Sequence, residues 1–209
     1  MDKLEKSYKF WDRVSGWSKA ESTANGPLVD HIYGQFGINI LPDDKVLDFG
    51  CGTGTISLLM AQYTDKVFGV DVSEGMLKHA RQNIGKSKID NAAFLKIETL
   101  GEMFPPEFFS LITAFNVLQY IEDRAELLQQ FNKLLEPEGK LIIAVPCFGS
   151  FNSLSTLLVR FLRFVHIMPK TYFFGGDEIG KEITDAGFSI IESINLSSMP
   201  EKLIVARKS

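Results

Sequence analysis

Apolar residues along the chain alternate between short continuous runs and stripes at helical spacing, which is typical of strands alternating with helices. Apolar runs with little polar interruption indicate strands buried on both faces of a parallel sheet. The pattern predicts an α/β fold with a doubly wound, mostly parallel seven-stranded sheet, helices on both faces, and a final hairpin that makes the last strand antiparallel. The seven predicted strands are residues 46–49, 67–70, 93–97, 110–115, 140–145, 188–194 and 202–206.

The N-terminal segment predicts a helix before the first strand. Its apolar residues include Leu4, Tyr8, Trp11 and Val14, which lie close to one helical face. Two interpretations stay open, a helix packed on the domain and an aromatic flap over a ligand. We therefore expect residues 1–209 to form a single domain, with residues 1–25 as an N-terminal helical flap.

A second addition is expected at residues 147–176, where the alternation of strands and helices stops. A wide apolar helical stripe leaves a narrow polar face that includes Arg160 and Arg163. Three interpretations that do not exclude one another remain: a lid over an apolar acceptor pocket, a membrane-surface contact through residues 152–168, and a homodimer interface.

Composition removes several function classes. The chain has 209 residues and a net charge of −4, and without a basic block no nucleic-acid footprint is visible. Cys51 and Cys147 lie far apart and form no CxxC pair, which argues against a disulfide framework or a zinc site and predicts a reducing compartment. The first residues do not resemble a signal peptide, and no apolar run has the length of a membrane span, so we expect a cytoplasmic protein.

A glycine loop follows the first predicted strand and carries the strongest chemical signal. Gly50, Gly52 and Gly54 stand at alternate positions between that strand and an apolar helix starting near Thr55. Glycine lets the backbone approach a ligand closely and adopt positive φ angles. A nicotinamide-binding turn, G-x-G-x-x-G, would need glycine where Thr55 stands, which argues against a nicotinamide-dependent oxidoreductase.

The segment V-L-D-F-G-C-G-T-G resembles motif I of the class I S-adenosylmethionine-dependent methyltransferases. Later segments resemble the same family in the same order: V-F-G-V-D-V-S-E-G-M-L, F-F-S-L-I-T-A-F-N-V-L-Q-Y-I-E-D, L-L-E-P-E-G-K-L-I-I-A-V-P and D-E-I-G-K-E-I-T-D-A-G-F. Together they span about residues 45–207. The resemblance implies a Rossmann-like fold, S-adenosylmethionine as cofactor and S-adenosylhomocysteine as product.

The resemblance also implies roles for the loop and the strand after it. The loop residues Gly50, Cys51, Gly52 and Gly54 would back onto the methionine part of the cofactor. Asp48 would face the ammonium group, although a structural acid that accepts loop N–H groups is an equal alternative. Asp71 would accept the two ribose hydroxyls, as a carboxylate can.

The remaining residues of the implied cofactor site lie after the next strands. Val72 and Met76 would sandwich the adenine, with ordinary helix packing an alternative for Met76. Glu98 would accept from the adenine amino group, with the Thr99 N–H near a ring nitrogen, although a solvated glutamate at the end of the strand is an open alternative. Asn116 and Val117 would lie near the methionine part.

The acceptor side is less well defined. Tyr120 occupies a place where the family often has histidine, and we expect it to line an acceptor pocket with Tyr8, Trp11 and Phe161, or simply to pack. Ser110 stands at a position where many members of that family have aspartate.

The histidines offer no clear catalyst. His31, His79 and His166 are isolated in the sequence, and His79 is expected to face solvent, so no catalytic residue is assigned and no metal is expected.

The predicted function is in-line methyl transfer from S-adenosylmethionine to a small hydrophobic or amphiphilic acceptor. The sequence F-N-V-L after the fourth strand argues against the N-P-P-Y enzymes that methylate amino groups of nucleic acids. Two alternatives stay open: a non-catalytic cofactor-binding partner or sensor protein, and, less favoured, the oxidoreductase. A protein or RNA acceptor also remains open.

Overall fold

A computed structural model describes residues 10–15, 34, 40–97, 99–147, 170–196 and 201–209. Residues 10–15 are helical, in agreement with the helix predicted at the N-terminus. Most of the proposed lid and Tyr8 lie outside the described residues, and so does the whole stretch 152–168. The membrane-surface and dimer hypotheses therefore remain predictions.

The described strands and helices follow the predicted alternation. In chain order they are β1 Lys45–Phe49, α1 Thr55–Met60, β2 Lys66–Asp71, α2 Glu74–Lys86, β3 Ala92–Lys96, α3 Leu100–Met103, β4 Phe109–Phe115, α4 Arg124–Leu134, β5 Leu135–Pro146, α5 Gly176–Asp185, β6 Phe188–Leu196 and β7 Glu201–Lys208. A 3-10 turn, Leu118–Tyr120, follows β4. The short helix α3 was not predicted, because four residues are too few to show a helical period.

The sheet confirms the predicted fold class. Its strand order is β3-β2-β1-β4-β5-β7-β6. The strands β1 to β5 pair in parallel, while β7 is antiparallel to both β5 and β6. Since the chain turns to opposite sides of β1, the carboxyl ends of β1 and β4 meet at the topological switch point where ligands bind in such sheets.

Successive strand residues point to opposite faces, and each face is covered by helices. Val46 packs in a cluster with residues of α1, while its neighbour Leu47 packs in a larger cluster with residues of α3, α4 and α5. Helix α2 packs through Leu77 and Ala80 on Phe94 of β3. Both faces of the central strands are therefore buried, which explains their continuous apolar sequence.

Helix ends follow the signals read from the sequence. Ser73 Oγ accepts from the Met76 N–H at 3.1 Å and caps α2, and Asp123 Oδ1 accepts from the Glu126 N–H at 3.0 Å and caps α4. Gly187 follows α5 with a φ of 88°.

Strand β5 begins earlier than predicted, at Leu135. Its pairing with β4 shifts between Leu135 and Lys140, so the predicted turn is a bulge inside the strand.

Candidate functional site

The glycine loop after β1 is held against β2 by backbone hydrogen bonds. The N–H groups of Gly50 and Cys51 both donate to Val70 O, at 2.8 and 3.0 Å. Gly50, Gly52 and Gly54 have φ angles of 77°, 54° and 77°. All three positions therefore favour glycine, since other residues are strained there.

The three glycines differ in what a side chain would meet. A Cβ at Gly50 would lie 2.7 Å from Val117 Cγ2, and one at Gly54 would lie 2.5 Å from Phe94 Cζ, whereas one at Gly52 would meet nothing within 4 Å. Gly50 and Gly54 are thus required for packing inside the protein. Gly52 instead borders open space, as expected of a loop that a ligand approaches.

Asp71, at the end of β2, is joined to the middle of the glycine loop. Its Oδ2 accepts from the Gly52 N–H at 2.9 Å and its Oδ1 from the Ser73 N–H at 2.9 Å. Burial is the main cause that raises the pKa of Asp71, opposed by the nearby backbone N–H groups. A carboxylate offers about four acceptor positions, so these two N–H donors leave it capacity for a ligand hydroxyl.

Asp48 lies beneath the loop and is 2% exposed. Its carboxylate accepts from Ser57 Oγ and, at 3.0 Å, from Thr113 Oγ1 of β4. Burial raises its pKa from 3.8 to about 6, opposed by the two hydroxyl hydrogen bonds, and the charge of Asp71 adds to the rise. The sequence left open a structural role in which Asp48 accepts from N–H groups of the loop. The observed donors are instead two hydroxyls, which the sequence did not lead us to predict.

The residues assigned to the adenine side lie around the carboxyl ends of β2 and β3. Val72 is half-buried and Met76 is buried on α2. Thr99 is exposed and precedes α3. The Ile97 N–H donates to Asp71 O at 3.0 Å and so joins the end of β3 to the end of β2. Glu98 lies outside the described residues.

The segment after β4 borders the glycine loop on the other side. Asn116 has a φ of 53° and Val117 packs on Gly50. Tyr120 contacts Trp11 edge to face, with ring centroids 5.1 Å apart. Burial raises the pKa of Tyr120. The structure thus brings together two of the four predicted acceptor residues, while Tyr8 and Phe161 lie outside the described residues.

His79 corrects one expectation. It does not face solvent: it is half-buried, its Nε2 lies 3.0 Å from Ser15 O, and its Nδ1 is buried without a hydrogen-bond partner. The reason is that residues 10–15 pack against α2, a long-range contact that the apolar spacing of the helix does not reveal.

In the described part of the chain we find neither a cluster of metal ligands nor a cysteine suited to thiolate chemistry. Within it, no group of three or more His, Cys, Asp or Glu residues could hold a metal ion. Burial raises the pKa of Cys51 and of Cys147, so both are thiols at neutral pH. The helices of these same residues include none long and apolar enough to cross a membrane.

Comparison with known proteins decides the family. The family described as "Methyltransferase domain" matches residues 40–173, well over half of the chain. The chain belongs to the methyltransferase domain family. This match confirms the predicted class I S-adenosylmethionine-dependent methyltransferase and its cofactor, and it gives no support to the nicotinamide-dependent alternative.

Curated relatives of this chain include enzymes named for quinone biosynthesis. The chain is 35% identical over 121 residues to a ubiquinone biosynthesis O-methyltransferase of Idiomarina loihiensis, covering 57% of this chain and 46% of that one. It is 25% identical over 175 residues to a demethylmenaquinone methyltransferase of a Geobacillus species, covering 74% and 75%. The chain thus spans less than half of the first relative's length.

Solved structures share the fold of this chain. An S-adenosylmethionine-dependent methyltransferase from Mesorhizobium loti superposes with a TM-score of 0.71 at 17% identity, covering 91% of this chain and all of that one. The residues described above fit the cofactor, because the open side of Gly52 and the remaining acceptor capacity of Asp71 lie at the same end of the sheet.

Proposed function

We propose that this protein transfers a methyl group from S-adenosylmethionine to a small hydrophobic or amphiphilic acceptor. The observation that carries the cofactor half of the proposal is the glycine loop: its middle glycine borders open space and donates its N–H to Asp71 at 2.9 Å. Packing therefore does not explain Gly52, whereas its positive φ angle and the approach of a ligand to the loop both do.

Asp48 and Asp71 supply the charge of the proposed site. S-adenosylmethionine has an ammonium and a sulfonium group, so it brings more positive than negative charge to the protein. Two buried or half-buried carboxylates at the carboxyl ends of β1 and β2 favour such a ligand. In the proposal Asp48 orients the ammonium end, and Asp71 accepts from the ribose.

The reaction needs little from the protein beyond alignment and exclusion of water. When bound, S-adenosylmethionine supplies an electrophilic methyl group that a nucleophile takes by in-line displacement. Trp11 and Tyr120 form an aromatic contact beside the site, and such rings exclude water from a reacting pair. Because burial raises its pKa, the Tyr120 phenol stays protonated at neutral pH and is suited to donate a hydrogen bond to the acceptor.

The aromatic contact and the names of the relatives support the same acceptor class. The Idiomarina and Geobacillus relatives are named for ubiquinone biosynthesis and for demethylmenaquinone. Flat aromatic acceptors pack well on aromatic side chains in offset or edge-to-face geometry. We therefore propose hydroxylated aromatic rings or quinols with an apolar substituent as the first acceptors to test.

The cofactor proposal is tested by Gly52→Ala with Gly187→Ala as the matched control. Both glycines have positive φ angles, 54° and 88°, so each alanine costs about 1–2 kcal/mol of backbone strain. Only the Gly52 methyl group enters the open space of the loop. We expect calorimetry with S-adenosylhomocysteine to show binding by the wild type and Gly187→Ala, and at least tenfold weaker binding by Gly52→Ala. Equal affinities in all three would contradict the proposed site.

The acceptor proposal is tested by S-adenosylhomocysteine formation with a panel of acceptors. The panel contains alkylated catechols, quinols and, as polar comparisons, amino alcohols. Turnover restricted to the aromatic members supports the proposed class, and turnover of only the polar members contradicts it. A protein that binds S-adenosylhomocysteine but methylates none of them would instead support the non-catalytic sensor.

A further inference from the structure

The helical residues 10–15 connect the two sides of the proposed cofactor site. On one side, Asp12 Oδ1 accepts from Ser73 Oγ at 2.5 Å and from the Gly75 N–H at 3.0 Å, at the start of helix α2. On the other side, Trp11 contacts Tyr120, which follows β4. A third contact joins Ser15 O to His79 Nε2 at 3.0 Å.

Ser73 is shared by two carboxylates. Its N–H donates to Asp71 Oδ1 and its hydroxyl donates to Asp12 Oδ1. The same hydroxyl oxygen accepts from the Met76 N–H and caps α2. Asp12 and Asp71 are therefore both fastened to Ser73, and the Met76 and Asp12 bonds, which share the Ser73 hydroxyl, strengthen one another cooperatively.

We propose that Asp12 is a positioning residue of the cofactor site. It fastens residues 10–15 to the start of α2 beside Asp71, and this contact opens when the nucleoside half of the cofactor enters or leaves. This inference rests on the proposed function, because it assigns a role at the same site.

Helix α2 is built to receive the segment at one position. A Cβ at Gly75 would fall well inside contact distance of Ser15 Oγ and 3.2 Å from Asp12 Oδ1. Glycine within a helix costs about 1 kcal/mol relative to alanine, and Gly75 does not have a positive φ angle. The close approach of residues 10–15 gives a physical reason for the glycine.

The contact holds two carboxylates, Asp12 and Asp71, on one serine. Burial is the main cause that raises the pKa of Asp71, and the negative charge of Asp12 adds to the rise. A further carboxylate of the first turn, Glu74, forms an exposed ion pair with Arg81 of α2 at 2.5 Å. The start of α2 offsets part of the repulsion, since its N–H groups and dipole stabilise carboxylates. Ribose hydroxyls that donate to Asp71 stabilise its charge further, and S-adenosylmethionine and S-adenosylhomocysteine both carry them, so a docked segment and a bound cofactor stabilise each other.

The test combines Gly75→Ala with Gly85→Ala, a control in the same helix whose Cβ would meet nothing within 4 Å. Both changes favour the helix, but only Gly75→Ala obstructs docking. Asp12→Ala removes the carboxylate, while Asp12→Asn keeps an oxygen that can accept from Ser73 and Gly75. All variants are made in the full chain with Trp17→Phe, so that Trp11 is the only tryptophan.

Two quantities are measured. Docking in the ligand-free protein is followed by acrylamide quenching of Trp11 and by tryptic cleavage after Arg13. Cofactor exchange is followed by the dissociation rate of radiolabelled S-adenosylhomocysteine, chased with unlabelled ligand. We expect Gly75→Ala and Asp12→Ala to increase quenching and cleavage and to dissociate about tenfold faster, the size of effect expected for a lost capping contact. Gly85→Ala should stay within twofold of wild type, and Asp12→Asn should recover most of the wild-type rate.

The outcomes separate this inference from the proposed function. Unchanged quenching and cleavage in Gly75→Ala would show that the segment does not dock as described. Increased quenching with an unchanged dissociation rate would reduce Asp12 to a structural cap, and would overturn its positioning role. A wild-type protein that docks the segment but never retains S-adenosylhomocysteine would refute the proposed function itself, and the inference with it.

Discussion

Replacing Asp48 by asparagine should stabilise the folded protein at neutral pH. The carboxylate is 2% exposed, and burial raises its pKa from 3.8 to about 6. Between these values the unfolded chain releases the proton while the folded protein keeps it. The free energy of unfolding therefore falls as pH rises from about 4 to about 6, and stays lower above that range.

The magnitude follows from the size of the shift. About 2 pKa units correspond to about 3 kcal/mol, at about 1.4 kcal/mol per unit. Asparagine has no proton to release, so it removes this pH-dependent loss of stability. Its oxygen still accepts one of the two hydrogen bonds. Its amide N–H can donate to the other hydroxyl, of Ser57 or Thr113, because hydroxyls also accept. We expect Asp48→Asn to be about 1–3 kcal/mol more stable than wild type at pH 7, with no gain at pH 4.

Urea unfolding at both pH values measures the effect, with the exposed Asp43→Asn as the control for the substitution. The informative quantity is the change with pH in the difference between variant and wild type. A difference that is the same at pH 4 and pH 7 would refute the reasoning, whatever its sign.

The same carboxylate predicts how cofactor affinity depends on pH. If the ionised form of Asp48 faces the ammonium, a proton competes with the cofactor below pH 6. We expect S-adenosylhomocysteine to bind about tenfold more weakly at pH 5 than at pH 7. In Asp48→Asn the affinity should be lower at pH 7, and its change between these pH values should be smaller. An unchanged pH profile in the variant would show that Asp48 is only structural.

Two further predictions concern packing around the site. Gly54→Ala should destabilise the protein by about 2–4 kcal/mol in urea unfolding, because the methyl group would lie 2.5 Å from Phe94 Cζ at a φ of 77°; a loss no larger than that of Gly52→Ala would contradict this. Arg124→Ala should lower the free energy of unfolding by about 1–3 kcal/mol, because this side chain is only 10% exposed, its guanidinium bonds Glu182, and it lies 4.4 Å from the centre of the Phe174 ring. As a control, Arg207→Ala removes an exposed ion pair and should cost less than about 1 kcal/mol.

The fold was accessible from the sequence because it depends on local periodicity. Continuous apolar strands, capped helices and a hairpin at the end specify a doubly wound sheet almost independently of detail. The glycine loop was also readable, since the spacing of Gly50, Gly52 and Gly54 distinguishes one nucleotide loop from another. The sequence interpretation could place Asp71 at a strand end for the same reason.

Contacts between residues far apart along the chain could not be predicted from the sequence. Asp48 is an acid in a motif, but only the pairing of β1 with β4 brings Thr113 opposite it. Gly69 lies inside β2, and only the sheet shows that a side chain there would collide with Phe94 and Cys51. A glycine inside a strand is a signal of such an approach, and it could have been used.

The sequence by itself determined the fold class, the glycine loop and the acid at the end of β2, because each is written in residues that are neighbours along the chain. The tertiary structure decided which glycine borders open space, why the pKa of Asp48 is raised, and that Asp12 lies on the start of α2. These features depend on burial and on contacts between residues more than 60 positions apart, which no local pattern encodes.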